Sequence, residues 1–161
     1  MAIRRVLFVC TGNSCRSVMA QRLMQQALSR AGIVGVDVES AGIFAIEGMS
    51  PTRETLSVLQ GVGLDASQHR AHGLTADLVE HADVIFTMER LHADEILRRY
   101  PQADGKIHLL KPYGLTQGEL LGYPGIPDPI GKPLEVYEIC FADIREAVER
   151  IAKALRDVPR S

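Results

Sequence analysis

Val6-Leu7-Phe8-Val9-Cys10-Thr11-Gly12-Asn13-Ser14-Cys15-Arg16-Ser17 changes its physical character twice within a short span. Val6 to Val9 is continuously apolar and β-prone, the pattern of a strand buried on both faces, as parallel strands are. Past Cys10 the residues turn small and polar around Gly12. From Met19 the apolar positions recur at three and four (Met19, Ala20, Leu23, Met24, Ala27, Leu28), and Gly32 stands where a helix C-cap would. The segment predicts strand, tight loop, helix.

A glycine-bearing loop that runs into a helix turns backbone N–H groups inward and adds the positive end of the helix macrodipole, which makes it a seat for an oxyanion. Arg16, in the first helical turn, can fold over such a loop and grip two oxygens bidentately, as a lysine cannot. Cys10 lies at the strand end in the same field, which favours the nucleophilic thiolate. Ser17 or Thr11 is placed to donate a hydroxyl to it. Cys-x5-Arg alone is a weak pattern. The strand before it, the glycine inside, the helix after and the hydroxyl following make it specific. The bland alternative is a small buried hydrophobe at Cys10 and a solvated Arg16.

Working outward, Val36 to Ser40 alternates like a second strand. Ser50-Pro51 opens a helical stretch through Leu59, with Pro51 suited to the first helical position. Thr75 to Ala82 reads as a short helix, Asp83 to Met88 as a third strand, Glu89 to Arg99 as a helix and Ile107 to Leu110 as a fourth strand. Lys111 to Pro133 is rich in Gly and Pro without periodicity, which marks a functional loop. Leu134 to Leu155 is an amphipathic helix on which Val136, Cys140 and Ile144 face inward. The expected architecture is α/β, a single three-layer domain over 1–161. Its four-stranded parallel sheet is flanked by helices, with the phosphate loop after the first strand at the sheet's carboxyl edge.

Composition limits the partners. With 161 residues, 18 basic and 20 acidic side chains, the formal charge is −2, so no global positive field exists to hold nucleic acid or an anionic membrane. Apolar runs fall short of the ~18 residues of a membrane span, and Met1 to Arg5 carries no signal-peptide pattern, so a cytoplasmic protein is expected. Three cysteines are too few for a disulfide framework. Gly61-Val62-Gly63-Leu64-Asp65-Ala66 fits a dinucleotide fingerprint but follows a helix and reads as its C-cap. His72, His81, His92 and His108 lack ligand spacing, so solvated or capping roles are expected and no metal. Arg4-Arg5 and Arg98-Arg99 read as solvated ends of elements.

The segment Val9 to Ser17 resembles the signature of the low-molecular-weight protein tyrosine phosphatases. Ser40-Ala41-Gly42, Gln68-His69-Arg70-Ala71 and Asp128-Pro129 stand in that family's order, so the resemblance covers nearly the whole chain. It implies Cys10 as nucleophile, Arg16 as phosphate clamp and Asp128 as general acid. Thr11, Gly12, Asn13, Ser14, Cys15, Arg16 and Ser17 match its phosphate loop, and Asn13, Ser40 and His69 match the residues that hold the loop in shape. It implies no cofactor and no metal. Cys15 is, by the same resemblance, a redox partner that closes a reversible disulfide on Cys10; a passive small residue is the alternative. Val18 departs from the family, where many members have proline.

Asp128 also has a case of its own. Phosphoryl transfer to a thiolate expels a leaving group that needs a proton, and in Ile126-Pro127-Asp128-Pro129 the prolines fix the backbone around the carboxyl. An ordinary Asp-Pro turn is what the sequence alone favours; the resemblance reverses that ranking.

For the substrate, Ser14 is small and polar where tyrosine-directed members usually have a branched apolar residue, and Ile130-Gly131 follows Pro129. This looks more like the family's protein arginine phosphatase branch, although Ile130 replaces that branch's aromatic residue. Phe44 and Ile130 are the expected substrate rim, and Phe44 with Tyr123 can line a ring slot. The balance tilts to phosphoarginine over phosphotyrosine on protein substrates, with inorganic phosphate or another oxyanion as the loop's ligand. The rivals are a thioredoxin-coupled arsenate reductase, disfavoured because Asp83 to Arg99 contains no cysteine, a phosphocarrier of sugar transport, and a non-catalytic phospho-residue binding module.

Overall fold

Val6, Leu7, Phe8 and Val9 are fully buried, and they form the interior of β1 (Arg5–Cys10). The computed structural model describes residues 2–157; Met1 and residues 158–161 of the expected 1–161 domain lie outside the described residues. After β1 follow α1 (Arg16–Arg30), β2 (Asp37–Gly42), α2 (Arg53–Gln60), α3 (Ala76–His81), β3 (Val84–Thr87), α4 (Arg90–Arg99), β4 (Ile107–Leu109) and α5 (Leu134–Asp157), with a 3-10 turn at Pro101–Ala103. The strands run parallel in the order β2-β1-β3-β4. The chain leaves β1 for one neighbour and later returns to its other side, so the end of β1 is the point where strand order reverses, the usual ligand crevice of such sheets.

Strand alternation divides β1 between two cores. Val6, Phe8 and Cys10 pack with Met19, Leu23 and Met24 of α1 and Ile144, Val148 and Ile151 of α5, while Leu7 and Val9 pack with Val79 of α3 and Ile96 of α4. Each large side chain so buried contributes roughly 1.5–3 kcal/mol. This two-sided burial is why the run is apolar at every position rather than at every second one.

Several boundaries differ from expectation for local reasons. β2 runs on to Gly42, pairing Ala41 with Val9 and Gly42 with Cys10. α2 begins at Arg53 because Thr52 caps it, its hydroxyl accepting from the Thr55 N–H at 3.3 Å; Pro51 stays outside. Glu89 precedes α4 as its N-cap rather than lying within it. On α5 the inward residues are Tyr137, Cys140 and Ile144, while Val136 is exposed. Arg99 is not a solvated end: its guanidinium donates to the Ile43 carbonyl at 2.8 Å and stacks 5.3 Å from the Phe44 ring centre. Gly32 takes a left-handed conformation (φ 71°) just past the C-cap of α1, Ala31.

Candidate active site

Cys10 ends β1 with its sulfur beneath the loop that leads into α1. Ser17 Oγ lies 2.9 Å from Cys10 Sγ, and the Asn13 backbone N–H donates to the same sulfur at 3.3 Å. Asn13 Nδ2 donates to Ser17 Oγ at 2.8 Å, so the serine proton is free to be given to the sulfur. Of the two hydroxyls considered from the sequence, Ser17 is the one against Cys10; Thr11 turns instead to His92 and Arg16.

The loop is held open from below. Asn13 has φ 55°, a left-handed backbone that asparagine tolerates better than most residues. Its side chain is fully bonded: Nδ2 also donates to Ser40 Oγ at 3.0 Å, and Oδ1 accepts from the His72 N–H at 3.1 Å. Ser40 in turn donates to Gln21 Oε1 at 2.6 Å. His69 Nε2 donates to the Asn13 carbonyl at 3.0 Å, and burial lowers its pKa, keeping the ring neutral with its proton on that nitrogen. Gly42 lies directly under the loop, and a Cβ there would stand 2.6 Å from the Thr11 carbonyl and 3.0 Å from the Asn13 nitrogen. The three residues expected to support the loop, Asn13, Ser40 and His69, therefore meet in one network.

α1 is preceded by Cys15 as an N-cap that makes no side-chain hydrogen bond, and it has no acidic residue in its first turn. Its first N–H groups and the positive end of its dipole are left for an anion. Arg16 is 1% exposed, and its guanidinium is fixed on one edge: Nη1 donates to Glu89 Oε1 at 2.5 Å and to the Ile126 carbonyl at 2.7 Å. Nη2 donates to Thr11 Oγ1 at 3.4 Å and lies 3.6 Å from Asp128 Oδ2. Asp128, 38% exposed at the side chain, stands at the mouth, its Oδ1 accepting from the Ile130 N–H at 3.1 Å. The loop that carries Asp128 is itself pinned, the Ile126 N–H donating to the Met88 carbonyl at 2.8 Å. Phe44 and Ile130 are exposed at the rim, and the Phe44 N–H is tied to the Thr11 carbonyl at 2.9 Å.

Gly12 and Ser14 complete the loop, Ser14 being buried with its hydroxyl 3.8 Å from Cys15 Sγ. Cys15 is a buried free thiol, 3.5 Å from Thr52 Oγ1 and 3.6 Å from the Tyr137 hydroxyl. Cys140 is also buried, and burial pushes its thiol up to about 12. Among the described residues no three His, Cys, Asp or Glu side chains converge as a metal site requires, and no helix is long and apolar enough to cross a membrane.

Two residues at the site were given no functional role from the sequence: Glu89 was read only as the start of a helix, and His92 as solvated or capping. Burial works to raise the pKa of Glu89, but its hydrogen bonds from Arg16 and Tyr123 and the Arg16 charge outweigh this, so it stays ionised below the ordinary glutamate range. His92 is fully buried, its Nε2 2.9 Å from Thr11 Oγ1 and its Nδ1 accepting from the Glu89 N–H at 3.0 Å. An acidic residue just past the carboxyl end of a parallel strand, with a histidine three positions on, is the signal that was available.

A model of the low molecular weight phosphotyrosine protein phosphatase family matches residues 5–160. The chain is 36% identical over 153 residues to a protein-arginine-phosphatase of Geobacillus stearothermophilus, covering 94% of this chain and 96% of that one. It is equally 36% identical over 154 residues to a probable low molecular weight protein-tyrosine-phosphatase, EpsP, of Ralstonia nicotianae, covering 96% and 97%. Among solved structures it is similar to the YwlE arginine phosphatase in a cysteine-to-serine mutant with phosphorylated active site serine. That match has a TM-score of 0.86 and 29% identity, covering 95% of this chain and 96% of the other.

Proposed function

The chain belongs to the low molecular weight phosphotyrosine protein phosphatase family, and from that premise we propose that it hydrolyses phosphoarginine side chains of proteins in preference to phosphotyrosine, with Cys10 as the carrier of the phosphoryl group. It is a cysteine-dependent phosphatase. What is proposed is which residues do the work and which substrate they favour.

In the first step Cys10 Sγ attacks phosphorus as the thiolate, and the bond from phosphorus to the arginine nitrogen, or to the tyrosine oxygen, breaks. Asp128, as the carboxylic acid, gives its proton to that leaving atom. Charge on the phosphoryl oxygens is met by the loop N–H groups and the Nη2 edge of Arg16, which faces Thr11 and Asp128. In the second step the Asp128 carboxylate takes a proton from a water that attacks the cysteinyl phosphate. Inorganic phosphate leaves, and the thiolate returns to the Ser17 hydroxyl and the Asn13 N–H. The observation that carries this reading is Cys10 Sγ held 2.9 Å from Ser17 Oγ at the foot of an uncapped helix N-terminus, with Arg16 and Asp128 3.6 Å apart above it. Cys15 is the candidate redox partner of Cys10.

Three features support phosphoarginine. Ser14 keeps the loop wall small and polar. Ile130 supplies no aromatic face to stack on a phenyl ring. The ionised Glu89 carboxylate suits a guanidinium better than a neutral ring. The exposed Phe44 and Tyr123 favour the second reading, phosphotyrosine, since both can flank a ring.

Parallel assays on phosphoarginine and phosphotyrosine proteins, with the wild type and Ser14→Ile, test the preference. Faster release from phosphoarginine, with a shift toward tyrosine in Ser14→Ile, is expected. A wild type that favours phosphotyrosine, or a variant with unchanged preference, overturns it.

A further inference from the structure

We propose that His92 is a positioning residue that makes the Thr11 hydroxyl a one-way hydrogen-bond donor to the phosphoryl group held in the loop. The inference rests on the phosphatase reading above and concerns a histidine and a hydroxyl to which that mechanism gives no task.

A backbone N–H can only donate, so the Glu89 N–H, 3.0 Å from His92 Nδ1, requires a lone pair on that nitrogen. The ring hydrogen therefore sits on Nε2, which donates to Thr11 Oγ1 at 2.9 Å. Arg16 Nη2 donates to the same oxygen at 3.4 Å. A hydroxyl oxygen accepts at two positions, and both are now filled. What remains to Thr11 is its own proton, and among the described residues no acceptor lies within hydrogen-bond distance of it.

Its place supplies the missing acceptor. Thr11 Oγ1 adjoins the same Nη2 that lies 3.6 Å from Asp128 Oδ2, between the clamp and the acid. Phosphoryl oxygens are anionic acceptors delivered to that point. A hydroxyl already oriented when substrate arrives gives its bond without reorganisation. The arrangement needs a neutral ring, because a charged one would set a hydrogen on Nδ1 against the Glu89 N–H. Burial and the Arg16 guanidinium keep His92 down at about 4, against the opposing pull of the Glu89 and Asp128 carboxylates.

The test is a double-mutant cycle on hydrolysis of p-nitrophenyl phosphate and its inhibition by inorganic phosphate. Thr11→Val removes the hydroxyl at nearly constant shape, and His92→Ala removes the device that aims it. Each is expected to lower kcat and weaken phosphate inhibition about tenfold, the size of one well-placed hydrogen bond. The double variant is expected to lose about tenfold in all relative to the wild type, not about a hundredfold, because both changes remove the same bond. Thr11→Ser is expected to recover most of the loss. Nitrogen NMR of the wild type reports the tautomer without any substitution, with the proton expected on Nε2; this and the Thr11 pair decide the matter if His92→Ala does not fold. A Thr11→Val enzyme matching the wild type, a multiplicative double variant, or a proton on Nδ1 overturns the inference while leaving the phosphatase reading intact. A wild type that does not turn over p-nitrophenyl phosphate removes that reading, and this inference with it.

Discussion

Arg16 and Glu89 form an ion pair at 2.5 Å in which the arginine side chain is 2% exposed and the glutamate 17%. A guanidinium taken this far out of water is held by its partners, and here the nearest are Glu89 at the head of α4 and the Ile126 carbonyl in the loop that carries Asp128. The same contacts leave its other edge turned toward Thr11 and Asp128. The ion pair and the Ile126 hydrogen bond thus join Arg16, the proposed phosphate clamp, to the head of α4 and to the loop that carries Asp128.

Removing Glu89 leaves the buried Arg16 charge with the Ile126 carbonyl, the Thr11 hydroxyl at 3.4 Å and the half-exposed Asp128 at 3.6 Å. Glu89→Ala is expected to destabilise the fold by about 3 kcal/mol, and to lower kcat/KM because Arg16 loses its orientation. Urea unfolding alongside p-nitrophenyl phosphate kinetics checks both; a variant as stable and active as the wild type would show the pair to be incidental.

Gly42 tests whether the loop must sit as close to β2 as it does. A methyl group there meets the Thr11 carbonyl at 2.6 Å and the Asn13 nitrogen at 3.0 Å, both backbone atoms that move only with the loop. Gly42→Ala is expected to cost about 1–3 kcal/mol in stability and about a hundredfold in kcat/KM, the scale for an ångström of misplacement. A melting curve and a progress curve suffice, and an unimpaired enzyme would mean that the loop tolerates displacement.

Asn13 combines a left-handed backbone with three side-chain hydrogen bonds. Asn13→Ala is expected to lose roughly 2–4 kcal/mol, since buried partners are left unpaired. Asn13→Gly relieves the backbone but not the bonds. If glycine recovers full activity, backbone conformation alone is what the asparagine supplies.

His92 has a stability signature in acid. Its folded pKa is lowered from 6.5 to about 4, burial being the largest cause, so between those values the unfolded chain holds a proton that the folded chain does not. Stability contributed by the neutral ring is complete above 6.5 and declines as pH falls toward 4, by up to roughly 3 kcal/mol at 1.36 kcal/mol per pH unit. Denaturant titrations of the wild type and His92→Asn across that window are expected to show a shallower pH slope in the variant. Parallel slopes would exclude His92 as the source.

Much of this was legible in the chain. The apolar run Val6–Val9, buried on both faces, marked β1 as a central parallel strand, and the change of period after Arg16 marked α1. Cys10 and Ser17 meet, and Arg16 comes within reach of the same loop at Thr11, because a strand, a short loop and a helix in sequence leave them little freedom. Asp128 stands farther along the chain at the same crevice, and only the family resemblance singled it out. The capping role expected of His92 is borne out, since its ring closes the capping box with Glu89 at the head of α4, but the Glu89–Arg16 pair and the His92–Thr11 bond were missed because each has its partner on another element. Nothing in a local window distinguishes a buried histidine bonded to a loop hydroxyl from a solvated one. Arg99 was misread for the same reason, its partners Ile43 and Phe44 lying on another element. The start of α2 was displaced because Thr52 competes with Pro51 for the helix entrance and its side chain supplies the capping oxygen.

The central claim is that the phosphoryl group passes through the sulfur of Cys10. Asp128→Asn enzyme, mixed with p-nitrophenyl phosphate and quenched during turnover, can be digested and its peptides weighed. A phosphate increment confined to Cys10, and lost in Cys10→Ala, is the predicted result. Steady release of p-nitrophenol with no phosphate on Cys10 at any quench time, or with phosphate on another residue, contradicts it.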